Sequence, residues 1–202
     1  ILKGVSQQTT GRLRVACHPA ASSFFVPNAL SEFLADKPDV NVTLRAMPSN
    51  TIEDLVASNQ YDLGFNESPH RRGSTQSEDF ELPCFCAMAA DSPLASPLSN
   101  QRTITPVDLR NQPMALLFDD HPTAVQTREA FRQTDTPLRQ RFELQTFMTG
   151  LKFVQNGLCY MVCDMLTAYS YISLSGDEGG VIFRPFKPRV YNTVSILTPA
   201  NR

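Results

Sequence analysis

No apolar run in the chain approaches the length of a membrane span, so nothing in it reads as a helical membrane anchor. Basic charge is not in excess either. Lys and Arg number 18 against 20 Asp and Glu, a net charge of −2. That excludes this stretch as a nucleic-acid-binding surface, which would carry a basic stripe. There is no glycine-rich phosphate loop, no nucleophile elbow and no metal-ligand spacing. The three histidines, His18, His70 and His121, each fall in a loop. Cys17 and His18 are adjacent, but neighbouring residues at a strand end point apart. No catalytic residue, metal or cofactor is therefore assigned.

The cysteines are five, an odd count without a regular framework, which suits a reducing compartment and hence the cytoplasm. Cys84-x-Cys86 and Cys159-x3-Cys163 depart from zinc spacing and lie in apolar, strand-like runs. They read as buried thiols acting as small hydrophobes. No signal peptide is visible. The chain opens on Ile1, and the expectation is that a segment precedes it.

What is present is a core-forming composition, 42% hydrophobic and 19% charged over 202 residues, enough for one large domain or two small ones. The stretch Gly11 to Pro38 organises the rest. Leu13, Val15 and Cys17 alternate with Arg12, Arg14 and Ala16, which predicts a strand. A turn follows through His18-Pro19-Ala20-Ala21. Ser22 and Ser23 then stand where a helix N-cap belongs. Val26, Leu30, Phe33 and Leu34 form the buried stripe of that helix. The serines either cap the helix or, beside its unpaired N–H groups, hold a carboxylate or phosphate.

Val40 to Met47 predicts a second strand, and Pro48-Ser49-Asn50-Thr51 leads into a helix running to about Ser58. Tyr61 to Phe65 reads as a third strand. Strand, helix, strand, helix, strand is the pattern of a parallel α/β sheet, whose ligands bind beyond the carboxyl ends of the strands. The loops Pro19–Ser23, Pro48–Thr51 and Asn66–Pro69 fall there. The polar segment His70 to Gln76, with its basic triplet, reads as an exposed loop.

Phe80 to Ala90 is a long strand-like run that passes from one domain to the next. Thr105 caps a short helix with Pro106 at its first position. Met114 to Phe118 and Arg141 to Leu144 predict strands. Helices follow them after Asp119-Asp120-His121-Pro122-Thr123 and after Gln145-Thr146, the second from Phe147 to Asn156 with Gly157 ending it. Leu158 to Cys163 predicts a strand, Met165 to Leu174 a helix and Gly176 to Gly180 a turn. Val181–Phe186 and Thr193–Leu197 close the chain as strands. Two similar α/β lobes joined by strand crossings form a cleft, a favoured ligand site.

GRLRVACHPAASSFFVPNALSEFLADKPDVNVTL resembles the start of the effector-binding domain of LysR-type transcriptional regulators. The resemblance continues in YDLGF, in the DSPLA turn, in ITPVDLRNQP and in GLCYMVCDMLTA, and it covers nearly the whole chain from Gly11. The closing GVIFRPFKPRVYNTVSILTP, with the VCDMLTA segment, looks most like the branch responding to opines and basic or amino-acid-type effectors. The resemblance implies a type 2 periplasmic-binding-protein-like fold of two Rossmann-like subdomains with a central cleft and two crossover strands. It implies a linker remnant at 1–10, subdomain I at 11–85 with 191–202, and subdomain II at 86–190. It also implies a winged helix-turn-helix, absent from this chain, that binds promoter DNA, a homodimer or homotetramer, and no membrane partner. Family members often carry a further helix beyond the point where this chain ends.

A carboxylate-bearing effector would then bind Ser22 and Ser23. Ser49, Asn50 and Thr51 would fix a second polar group, and Pro122, Thr123, Thr146 and Phe147 would close the other side. Asn66 and Glu67 end the third strand. Glu67 is either a surface charge or the partner of an effector amine or guanidinium. The family's glycine-rich segment here reads Gly157-Leu158-Cys159-Tyr160, so Tyr160 either narrows the pocket or turns into the core. The rival with the same fold class is a solute-binding protein of a transporter.

Overall fold

The computed structural model describes residues 10–67, 73–95, 102–176 and 179–200. The expected linker, apart from Thr10, lies outside them, as do Pro69, His70, Arg71 and Arg72 and the Asp177-Glu178 pair of the expected turn. The chain falls into two compact units, 1–80 with 193–202, and 81–192. The divisions fall at 80/81 and 192/193, where the sequence reading has 85/86 and 190/191.

The elements run β1 (Thr10–Cys17), α1 (Pro19–Ser22), α2 (Phe25–Leu34), β2 (Asp39–Ala46), α3 (Ser49–Ala57), β3 (Leu63–Glu67) and β4 (Thr75–Ala89). After two short 3-10 turns come β5 (Pro113–Leu117), α4 (Pro122–Gln133), β6 (Arg139–Leu144), α5 (Phe147–Gln155), β7 (Tyr160–Asp164), α6 (Met165–Ser175), β8 (Val181–Pro185) and β9 (Tyr191–Pro199). β4 and β9 are the strands within which the chain passes from one unit to the other.

In the first unit β1 lies between β2 and β3, parallel to both, and β9 adds antiparallel to β3. Leu13, Val15, Ala16 and Cys17 are all buried, so β1 is covered on both faces toward its carboxyl end, as a central parallel strand must be. Ala16 packs with Ile52, Val56, Tyr61 and Leu197. Arg14 is tied to Asp62 twice over: Nε donates to Oδ2 at 3.1 Å and Nη2 to Oδ1 at 3.0 Å. The backbone N–H of Arg14 donates to the same carboxylate at 2.8 Å, so the loop before β3 is fastened to β1.

In the second unit β7 joins β4 antiparallel on one side and β5 parallel on the other, β6 lies parallel outside β5, and β8 pairs antiparallel with β4. Alternation sorts the side chains onto two faces. Cys84, Cys86, Met88, Met114 and Val162 pack with Phe131 and Leu109. Ala87, Ala115, Leu117, Met161 and Cys163 pack with Phe147, Leu151 and Val154.

Two local expectations are corrected. The helix expected after Ser22 or Ser23 begins earlier. His18 stands at the N-cap of α1 with Pro19 behind it, and after a break α2 starts behind Phe24. Proline's fixed φ suits a first helical position and holds the preceding residue extended, which is the conformation of His18 (ψ 157°). Ser22 Oγ donates to Pro19 O at 2.7 Å, and neither serine is an N-cap. β4 starts five residues before Phe80, at the polar Thr75, and β6 starts at Arg139. The short helix expected behind Thr105 is present as a 3-10 turn, Pro106–Leu109, with Thr105 at its N-cap and a capping box between Thr105 and Asp108.

Candidate functional site

In the first unit the chain leaves the carboxyl ends of β1, β2 and β3 at His18, Met47 and Glu67, and this is where the expected residues gather. Ser23 is exposed in the break between α1 and α2. Ser49, Asn50 and Thr51 form the first turn of α3, which carries no acidic side chain there. Asn50 Oδ1 accepts from the Thr51 N–H at 2.8 Å, and Ser49 Oγ accepts from the Glu67 N–H at 3.2 Å. The Ser49 bond fastens the end of β3 to the start of α3. Asn66 is 1% exposed, and its Oδ1 has no hydrogen-bond partner among the described residues.

His18, which the sequence leaves as a lone loop histidine, lies beneath Glu67. It is 1% exposed, its backbone N–H donates to Phe65 O at 2.9 Å, and Nδ1 stands 3.1 Å from Glu67 Oε1. Forty-nine positions separate the two residues, so no local pattern announces the pair.

In the second unit Pro122 and Thr123 open α4, and Thr146 stands at the N-cap of α5 ahead of Phe147. Neither helix carries an acidic side chain in its first turn. The partial positive charge of these helix ends is thus left for an anion to complement. His121 caps α4: its Nδ1 accepts from the Thr123 N–H at 3.2 Å, which places the neutral ring's proton on Nε2. Thr123 is buried, and Oγ1 has no hydrogen-bond partner among the described residues. Thr146 Oγ1 and Thr149 Oγ1 share a hydrogen bond at 2.9 Å. Phe147 is turned inward. Its ring meets His121 edge-on at 5.8 Å, and His121 in turn meets the exposed Phe118 at 5.5 Å.

Tyr160 is not brought to this end of the second sheet. It opens β7, which runs parallel to β5, so it sits at the amino end while Pro122 and Thr123 follow the carboxyl end of β5. Its hydroxyl shares a hydrogen bond with Ser92 Oγ at 2.8 Å, and its ring packs against the core that contains Met114 and Phe131.

All five cysteines are buried. Burial pushes the Cys17 and Cys159 thiols up to about 11, and those of Cys86 and Cys163 higher still. They are therefore thiols, not thiolates, at neutral pH, and poor nucleophiles. Cys163 stands opposite Phe85 in the β4–β7 ladder, so it points to the face away from Cys84 and Cys86. Among the described residues no group of three His, Cys, Asp or Glu is placed to hold a metal ion, and no helix is long and apolar enough to cross a membrane.

The mixed α/β arrangement is that of solved LysR-type regulatory domains. The regulatory domain of Synechocystis CcmR, solved in complex with 2-PG, superposes with a TM-score of 0.74 at 20% identity, covering 96% of this chain and 89% of that one. The reduced OxyR regulatory domain of Pseudomonas aeruginosa gives 0.75 at 19% identity, covering 96% and 92%. The chain belongs to the LysR substrate binding domain family, whose model matches residues 6–202. Among curated relatives it is 33% identical to the octopine catabolism/uptake operon regulatory protein OccR of Rhizobium meliloti over 90% of this chain and 57% of that protein. It is 27% identical to the transcriptional activator protein LysR of Escherichia coli over 95% and 59%. The regulatory protein NocR of Agrobacterium tumefaciens matches at 28% over 95% and 61%. The chain thus spans about six-tenths of the length of these relatives.

Proposed function

We propose that this chain is the effector-sensing part of a cytoplasmic, non-enzymatic transcriptional regulator, and that its effector is a small carboxylate of amino-acid or opine-like character. The observation that carries the reading is the set of helix starts following strand ends, α3 in one unit and α4 and α5 in the other. Their first turns hold hydroxyl and amide side chains and no acid. Membership of a family whose relatives are named as regulators favours this reading over a transporter's solute-binding protein. In the first unit Ser23, Ser49, Asn50 and Thr51 supply donors; in the second Thr123 and Thr146 supply them, Pro122 opens α4, and Phe147 holds the start of α5 in its core.

Bonds from such donors to a carboxylate in a desolvated site are charge-assisted and strong. Binding shifts the protein only as far as the effector discriminates between its states. Promoter DNA would be met by an N-terminal winged helix-turn-helix, and the working unit would be a homodimer or homotetramer. Ser23→Ala combined with Thr51→Ala tests the site. Calorimetry on the double variant should show effector affinity lower by tenfold or more with the melting midpoint unchanged, and unchanged affinity would remove these residues from the site.

A further inference from the structure

Three successive residues, Val190 to Asn192, lead into the crossing strand β9, and each is held by a different element of the second unit. Val190 O accepts from the Cys84 N–H of β4 at 2.9 Å. Tyr191 is held twice by one side chain of α4: Gln126 Nε2 donates to Tyr191 O at 2.9 Å, and Gln126 Oε1 accepts from the Tyr191 N–H at 3.1 Å. Asn192 is fully buried, and its Nδ2 donates to Asp164 Oδ2 at 3.4 Å. Asp164 caps α6, its other oxygen accepting from the Thr167 N–H at 2.6 Å. The second unit ends at Asn192. From Val194 the strand is bonded within the first unit: Val194 and Ser195 pair with Glu67 and Asn66 at the carboxyl end of β3, and the Ser195 hydroxyl donates to Asp79. Thr193 stands between these two sets of bonds.

The Gln126 amide presents the donor and acceptor of a peptide group in one plane, so its two bonds fix both the distance and the orientation of Tyr191 against α4. The Asn192–Asp164 bond is longer, and the Gln126 pair is the tighter hold. α4 is a continuous helix of 12 residues, and Gln126 lies one turn along it from Pro122 and Thr123. A displacement of that first turn is carried to Tyr191. We infer that Gln126 couples the start of α4 to the strand that leaves the second unit, as a positioning residue through which charge at that helix start shifts the backbone at Thr193. This rests on the reading above that the first turn of α4 takes part of the effector's carboxylate. Coupling is reciprocal, so the end of β3 bears on the α4 start through the same strand.

The test is amide hydrogen exchange by NMR on this chain, without ligand. Gln126→Met, of similar length, and Gln126→Ala, a good helix former at a half-buried position, should each speed exchange of the Tyr191 N–H by about tenfold. A merely structural bond would show that much and no more. Pro122→Glu sets a carboxylate at the first turn of α4, standing in for the effector's charge. In the parent it should change exchange at Tyr191 and Thr193 by about threefold or more. Combined with Gln126→Met or Gln126→Ala it should leave Thr193 at the rate of the Gln126 variant alone. Thr146→Asp is the control, because α5 has no hydrogen bond to β9 among the described residues; it should leave Thr193 unmoved. Unchanged Tyr191 exchange in both Gln126 variants overturns the clamp. No response of Thr193 to Pro122→Glu in the parent, or a response that persists without Gln126, overturns the coupling. Since no ligand is present, neither failure touches the effector reading, which stands or falls on binding.

Discussion

Gly64 is where packing of the first unit bears most directly on the proposed site. A Cβ there would stand 2.8 Å from Ile52 Cγ2, 3.0 Å from Val56 Cγ2 and 3.3 Å from Leu197 Cβ. Relaxed carbon contacts lie at about 3.5–4.0 Å, so Gly64→Ala requires α3 to retreat by roughly 1 Å. Ile52 and Val56 are β-branched and fully buried, so rotation about χ1 gives little relief. Overpacking of this kind costs about 1–3 kcal/mol. At about 2–4 °C per kcal/mol for a chain of this size, a cost near 2 kcal/mol lowers the melting midpoint by about 4–8 °C. The helix that moves starts with Ser49, Asn50 and Thr51, so effector affinity should fall as well. Differential scanning fluorimetry and urea unfolding are the assays. Gly73→Ala is the control, because none of the described residues lies within 4 Å of its added Cβ. A Gly64→Ala midpoint within a degree of the parent's would refute the close seat of α3 on β3.

Other consequences follow from charge and burial. Burial raises the Asp108 carboxyl, but the Thr105 N–H and hydroxyl and the Arg102 guanidinium outweigh it and hold the group below its ordinary value. Its stabilisation is thus present above the unfolded-state value near 3.9 and lost as pH falls through the folded one. Asp108→Asn should cost about 1 kcal/mol at pH 7 in urea unfolding, with the gap to the parent closing below pH 4; a constant gap across pH would contradict the capping box. The Cys17 and Cys159 thiols, raised by burial to about 11, stay protonated in the folded chain, so stability should hold up to about pH 9 and fall between there and about 11. At pH 8 a thiol reagent should label none of the five cysteines until the chain is unfolded, and fast native labelling would contradict their burial.

Where apolar periodicity and cap residues agree, the sequence led directly to the structure. The alternation of Leu13, Val15 and Cys17 gives β1, and the Ile52, Leu55, Val56 run gives α3. It misled where one signal stood in for another. Ser22 and Ser23 are favoured caps by type, but Pro19 starts the helix earlier because its ring already holds the helical φ. The opening of β4, Thr75 to Asp79, has no apolar alternation. It is held by partners distant in sequence, such as the Ser195 hydroxyl donating to Asp79 at 2.6 Å. The same distance hid His18 and Glu67. Tyr160 belongs to a correctly read strand, but which end of the second sheet it occupies depends on the parallel pairing of β7 with β5.

A thermal-shift screen of this chain against small carboxylates is the most direct measurement of effector binding. A ligand at 100 times its dissociation constant stabilises the folded chain by about 2.7 kcal/mol. At about 2–4 °C per kcal/mol that is a rise of about 5–11 °C. The account predicts such a rise with an amino-acid or opine-like acid, lost in the Ser23→Ala, Thr51→Ala double variant. A rise of the same size in the double variant, or none with any carboxylate, would contradict it.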